Sequence, residues 1–111
     1  MKLLVVDDDV HIRRIVALYL RGHDVAEAAT GEEALARLAG ERFDAVIVDL
    51  ILPQFGGLRL CRKIKESAAA PPRVIVISGD EQLRDDAREA GADAFLAKPF
   101  TKDDLAAAVS S

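Results

Sequence analysis

The chain has 111 residues and a mass of 12.0 kDa, room for one domain. Nineteen alanines dilute its apolar half, leaving 30 Val, Ile and Leu plus four Phe for a core, which excludes a disordered or collagen-like chain. One cysteine excludes an internal disulfide scaffold, no apolar run is long enough to cross a membrane, and a net charge of −4 lacks the basic footprint of a nucleic-acid binder.

Direct nucleic-acid binding and membrane attachment are therefore not expected. The opening Met1-Lys2-Leu3-Leu4-Val5-Val6 starts like a signal peptide, but Asp7-Asp8-Asp9 breaks it far too early, so a cytoplasmic location is expected. The clusters Arg13-Arg14 and Arg62-Lys63-Ile64-Lys65 read as solvated helix faces.

Short β-branched runs alternate with amphipathic segments. Residues 3–6 read as a strand buried on both faces. From 10 to 21 the period becomes 3.6, with Ile12, Ile15, Val16, Tyr19 and Leu20 on the inner face. Residues 24–29 read as a second, weaker strand. Thr30 and Glu33 form a capping box for a helix that turns Ala34, Leu35 and Leu38 inward and stops at Gly40. The third strand covers 44–50, and Pro53 to Gly57 is a loop. A helix from about Leu58 to Glu66 buries Leu60, Cys61 and Ile64. The fourth strand covers 74–77, and a charged helix over 80–90 turns Leu83, Ala87 and Ala90 inward. The fifth strand covers 92–97. Thr101 caps a last helix, with Asp104 at its third position and Leu105, Ala108 and Val109 inward. Connections this short force parallel strands with right-handed crossovers and helices on both faces, an open α/β sandwich.

In such a sheet, ligands bind beyond the carboxyl ends of the strands. The first strand ends in Asp7-Asp8-Asp9, the third in Asp49, the fourth in Ser78-Gly79 and the fifth in Lys98-Pro99. Crowded carboxylates need a cation or a shared proton, and an all-oxygen set favours Mg²⁺ or Mn²⁺ over zinc. A lysine, a hydroxyl and a divalent ion around a carboxylate suit phosphoryl chemistry, with Asp49 as the candidate nucleophile. Taken singly, each residue also has a plainer reading: helix-start acids for Asp7 to Asp9, a turn residue for Ser78, a surface lysine for Lys98, core for Phe95. Cys61 reads as a small buried hydrophobe, and His11 and His23 do not suggest a metal pair.

These residues, in this order, resemble the receiver domain of the two-component response-regulator family over essentially residues 1–109. The matching pieces are Leu3 to Asp8, Ala45 to Asp49, Pro53…Gly57, Val76 to Gly79, Ala90-Gly91-Ala92 and Lys98-Pro99-Phe100. The resemblance implies a flavodoxin-like sheet of five parallel strands in the order 2-1-3-4-5, and a single domain over 1–111, either stand-alone or ending within or just after its last helix. It further implies that Asp49 accepts a phosphoryl group from a histidine kinase or a histidine phosphotransfer protein. Asp7, Asp8, Asp49 and the Ile51 carbonyl would hold Mg²⁺, Lys98 would bridge to the phosphoryl group, and Lys98-Pro99 would be cis. Ser78 and Phe95 would be the switch residues, the ring following the hydroxyl as it is drawn inward. The phosphodonor would dock on a face made of Val10, His11, Arg14 and Leu18 with Pro99 and Phe100; a solvated helix face is the plainer alternative.

The chain departs from the family in four places. Phe55-Gly56-Gly57 replaces the usual loop, so the next helix is expected to start late. The segment 78–91 is short, so the fourth helix is expected to be trimmed or shifted. The last helix is short and Ala-rich. Ile51, two residues after the acceptor, and Asp80, two after Ser78, stand where the lifetime of the phosphorylated state is tuned; an apolar Ile51 is expected to lengthen it. Two rivals remain: an unphosphorylated receiver-like adaptor, and a haloacid-dehalogenase-type phosphatase with Asp7 as nucleophile. On the receiver reading the chain is a switch, not a turnover enzyme.

Overall fold

The computed structural model describes residues 1–52 and 56–110; Pro53 and Phe55, on which part of the loop expectation falls, lie outside them. Five parallel strands form one sheet in the order β2-β1-β3-β4-β5. In chain order the elements are β1 (Lys2–Val6), α1 (Val10–Tyr19), β2 (Asp24–Ala28), α2 (Gly31–Gly40), β3 (Ala45–Asp49) and α3 (Gly57–Glu66). They continue with β4 (Arg73–Ser78), a 3₁₀ turn (Glu81–Leu83), α4 (Arg84–Glu89), β5 (Ala94–Ala97) and α5 (Lys102–Ser110). The expected fold class is thus the observed one.

The period-2 alternation of the central strands splits the core into two layers. Leu3, Val5, Ala45, Ile47, Ile75 and Ile77 pack with Val16 of α1 and Leu105 and Val109 of α5. Leu4, Val6, Val46, Val48, Val74 and Val76 pack with Ala34, Leu60, Cys61, Ile64 and Ala87 from α2, α3 and α4. Each helix thus covers the sheet with the stripe that its period-3.6 pattern predicts, except at Ile15 of α1.

Several expected boundaries move. The first helix ends at Tyr19, two residues early, because Gly22 turns the chain at φ 101°. Ile15, expected inside, is 45 % exposed: α5 offers only Leu105, Ala108 and Val109 to this side and leaves the flank of α1 uncovered. The third helix starts at Gly57, not late, because the Gly57 N–H donates to the Leu50 carbonyl at 3.1 Å. The helix expected over 80–90 is trimmed to six α-helical residues; the Asp80 carboxylate accepts from the Gln82 N–H, and a 3₁₀ turn precedes the helix. At α5, Thr101 and Asp104 cap each other reciprocally at 3.0 Å, as their spacing predicts.

Candidate functional site

The chain runs from β1 outward to β2 and then returns to the other side of β1 as β3, so the strand order reverses between β1 and β3. A crevice opens there at the carboxyl edge, and Asp7 and Asp49 stand on its two sides, both nearly fully buried. One oxygen of Asp7, Oδ1, accepts from the Asp9 N–H at 2.9 Å; the other, Oδ2, is buried without a hydrogen-bond partner. Burial, with the neighbouring Asp49 carboxylate adding to it, raises the Asp7 carboxyl from 3.8 to about 7, while Lys98 works in the opposite direction.

Asp49 is satisfied on both sides. Its Oδ1 accepts from the Ile51 N–H at 2.9 Å, and its Oδ2 lies 2.7 Å from Lys98 Nζ. Lys98 reaches it from the loop after β5, anchored by its own N–H on the Ser78 carbonyl at 2.8 Å, and its peptide bond to Pro99 is cis. Four strands therefore deliver side chains to one rim, as their ends in the sequence suggest. The Ser78 hydroxyl is at that rim, buried, and accepts from the Asp80 N–H at 3.0 Å, so its contact is with the β4–α4 loop and not with Asp49.

The donors fit a hard divalent cation. Asp7 Oδ2 is a buried oxygen lacking a partner, beside a second carboxylate, and Mg²⁺ is held by one or two carboxylates with water and phosphate oxygens completing an octahedron. Asp8 is exposed, and among the described residues no three His, Cys, Asp or Glu side chains gather into a ready-made cluster. An ion here would depend on the Asp7–Asp49 pair first.

The other expected residues surround this centre. Ile51 projects its side chain outward, 75 % exposed. Phe95 is half-buried on β5, with the Arg84 guanidinium 4.7 Å above its ring. Val10, His11, Arg14 and Leu18 lie exposed along α1. Beside them Ile12, Ile15, Tyr19, Pro99 and Phe100 line an apolar groove of about 360 Å³, in which the Tyr19 and Phe100 rings meet edge to face at 6.3 Å. Cys61 is buried, and burial pushes its thiol up to about 11, which suits a plain core residue. His23 contacts the N-terminal amine at 3.2 Å, far from His11 in the chain.

Arg13 was expected in solvent and is not there. Its side chain folds back over the β1–α1 loop, 15 % exposed, donating from Nη1 to the Asp7 carbonyl at 2.6 Å and from Nε to Glu27 Oε1 at 3.1 Å. The neighbouring Arg14 is exposed as expected. The sequence signal is faint: an arginine one turn inside a helix that follows an acid cluster.

Residues 3–110 match the family profile described as response regulator receiver domain. Among curated proteins, the chain is 38 % identical to the transcriptional regulatory protein ResD of Bacillus subtilis over 90 % of this chain and 42 % of that protein. It is 36 % identical to a probable transcriptional regulator, ycf27, of Porphyridium aerugineum over 99 % of this chain and 47 % of that one. The chain therefore spans less than half the length of these relatives. Among solved structures, a putative response regulator from Chloroflexus aurantiacus superposes with a TM-score of 0.89 at 33 % identity, covering 99 % of this chain and 98 % of that one. The BeF3-activated DrrB receiver domain superposes with a TM-score of 0.87 at 36 % identity, covering 97 % and 92 %.

Proposed function

From its membership of the response regulator receiver domain family, established by the match over residues 3–110, we propose that this chain is a single receiver domain that takes a phosphoryl group on Asp49 from a histidine kinase or a histidine phosphotransfer protein. Receiver domains are signalling switches and not turnover enzymes, and this chain is one of them by family. Membership also sets aside the haloacid-dehalogenase reading, which needed Asp7 as nucleophile.

The contact that carries the reading is Lys98 Nζ on Asp49 Oδ2 at 2.7 Å, next to a second buried carboxylate. Asp49 attacks the phosphorus of the phosphohistidine; the new O–P bond forms as the P–N bond breaks, and the imidazole keeps that electron pair and takes up a proton. Lys98 passes from the carboxylate to a phosphoryl oxygen as charge builds there. Asp7, Asp49, the Ile51 carbonyl and Asp8 would hold Mg²⁺, which supplies charge neutralisation to the phosphoryl oxygens when bound; Mn²⁺ suits the same donors. Ser78 leaves the Asp80 N–H for the new oxygens, and Phe95 moves inward from beneath Arg84, changing the α4–β5–α5 surface.

The exposed apolar side chains support the choice of partner. Val10, Ile15 and Leu18 on α1 and Ile51 at the rim are all more than a third exposed, and Ile15 lines the groove that ends at Pro99 and Phe100. With His11 and Arg14 they offer a helical phosphodonor one surface that reaches Asp49. The location proposed for the event is the cytoplasm, where ATP-fed phosphodonors act.

The test is an intact-mass spectrum after incubation with Mg²⁺ and a small-molecule phosphodonor. One added phosphoryl group, lost in Asp49→Asn and under chelation, is the expected result. A folded protein that binds Mg²⁺ and gains no mass would be an unphosphorylated adaptor instead.

A further inference from the structure

We infer that Arg13, held by Glu27, is a positioning residue for the metal-binding loop. The inference rests on the reading of Asp7 and Asp8 as cation ligands. The carbonyl that accepts the Arg13 Nη1–H at 2.6 Å belongs to the peptide joining Asp7 to Asp8. The plane of that peptide fixes the last backbone angle of Asp7 and the first of Asp8, and so the direction in which both side chains leave the chain.

The rest of the loop leaves this plane underdetermined. The Asp7 N–H donates to the Ala28 carbonyl at 3.1 Å, and Asp7 Oδ1 and Asp9 Oδ1 accept from the Asp9 and His11 N–H groups. These bonds fix the two ends of the loop. Asp8 lies between them, exposed. A charge-assisted bond from a nearly buried guanidinium is the strong restraint on its approach to the crevice.

Arg13 is itself oriented from the neighbouring strand. Glu27 on β2 accepts from Nε at 3.1 Å, so the guanidinium plane is set at two of its nitrogens and its charge is balanced before a cation arrives. Without Glu27 the same charge would repel a divalent ion close by. Glu27, Arg13 and the Asp7 carbonyl thus form a relay of orientation from a strand at the sheet edge to the crevice. No step of phosphoryl transfer passes through it.

The experiment is a Mg²⁺ titration followed by backbone amide shifts in the unphosphorylated protein, with thermal unfolding and Asp49 phosphorylation measured alongside. Outer partners of metal ligands typically cost 10–100-fold in affinity when removed, so Arg13→Met is expected to weaken Mg²⁺ binding by about tenfold. Arg13→Lys, which keeps one donor for the carbonyl, is expected to recover part of the loss, and Glu27→Gln to show a smaller loss in the same direction. Phosphorylation of Arg13→Met is expected to need correspondingly more Mg²⁺ to reach half of its maximal rate. A lowered melting temperature with an unchanged Mg²⁺ midpoint in Arg13→Met would overturn the inference and leave the acceptor reading intact. If Arg13→Met does not fold, an unchanged midpoint in Glu27→Gln overturns it equally. Absence of Mg²⁺ binding in the unaltered protein would remove the cation site and this inference with it.

Discussion

Lys98 and Asp49, 49 residues apart in the chain, meet at 2.7 Å across the carboxyl edge of the sheet, the lysine one-third exposed and the carboxylate 8 % exposed. The pair links the loop after β5 to the end of β3 and so ties an edge strand to the centre of the sheet. Removing one member of such a pair leaves an uncompensated charge on the other. Partial exposure of the lysine keeps the cost below that of a fully buried pair, at about 2 kcal/mol. Lys98→Met is expected to lower the melting temperature by about 10 °C. Adding Asp49→Asn to Lys98→Met is expected to restore most of it. Additive losses in this double-mutant cycle would mean the two groups do not stabilise each other.

The buried Asp7 carboxyl is expected to give the fold a pH dependence whose sign follows from its raised pKa. Its carboxyl is raised from 3.8 to about 7, so the folded protein retains a proton that the unfolded chain releases. The resulting stability is fully present below pH 3.8, declines as the pH rises, and is gone above about 7. Asp7→Asn is therefore expected to be more stable than the unaltered protein at pH 7 in chelating buffer, with the difference vanishing near pH 4. The gain is bounded by about 4 kcal/mol, and relaxation and water entry reduce it to the order of 2 kcal/mol. Urea unfolding at pH 4 and pH 7.5 measures it, and a gain of equal size at both values would remove the buried carboxylate as its cause.

Gly57 is required by close approach. A Cβ there would lie 2.5 Å from Leu50 Cα and 2.6 Å from the Asp49 carbonyl oxygen, both backbone atoms next to the acceptor. Gly57→Ala is expected to cost about 2–3 kcal/mol by overpacking and to slow phosphorylation by displacing the end of β3. Gly40→Ala is the control: nothing lies within 4 Å of its Cβ position. Equal melting temperatures for the two variants would show that the α3 start yields without strain.

The difference between these glycines marks what could be read from the chain itself. Strand alternation specified both core layers, and strand ends that carry Asp7, Asp49, Ser78 and Lys98 located the rim, because a parallel sheet gathers such ends on one edge. Arg13 escaped because side-chain direction within an Arg-Arg pair depends on a partner, Glu27, that lies on another strand. The exposure of Ile15 depends on the bulk of α5, a helix 90 residues further along. Helical period alone puts Ile15 on the inner face; only the tertiary neighbour decides whether anything covers it.

Ile51 sets the last expectation, which rests on Asp49 as acceptor. Its N–H donates to Asp49 Oδ1 at 2.9 Å, which fixes its Cα beside the carboxylate, while its side chain stands 75 % exposed at the mouth of the crevice. Water that removes a phosphoryl group from Asp49 must approach past this side chain, and an aliphatic group offers it no hydrogen bond. An amide at the same position can hold and orient it. Ile51→Asn is expected to speed loss of the phosphoryl group by about tenfold, equivalent to about 1.4 kcal/mol off the barrier. Because the side chain is exposed, stability is expected to stay within about 0.5 kcal/mol, so the lifetime moves without the fold. Phosphate release after removal of the donor measures both rates. Identical rates would shift the control of lifetime to Asp80, whose N–H already holds the Ser78 hydroxyl at 3.0 Å from the other side of the crevice.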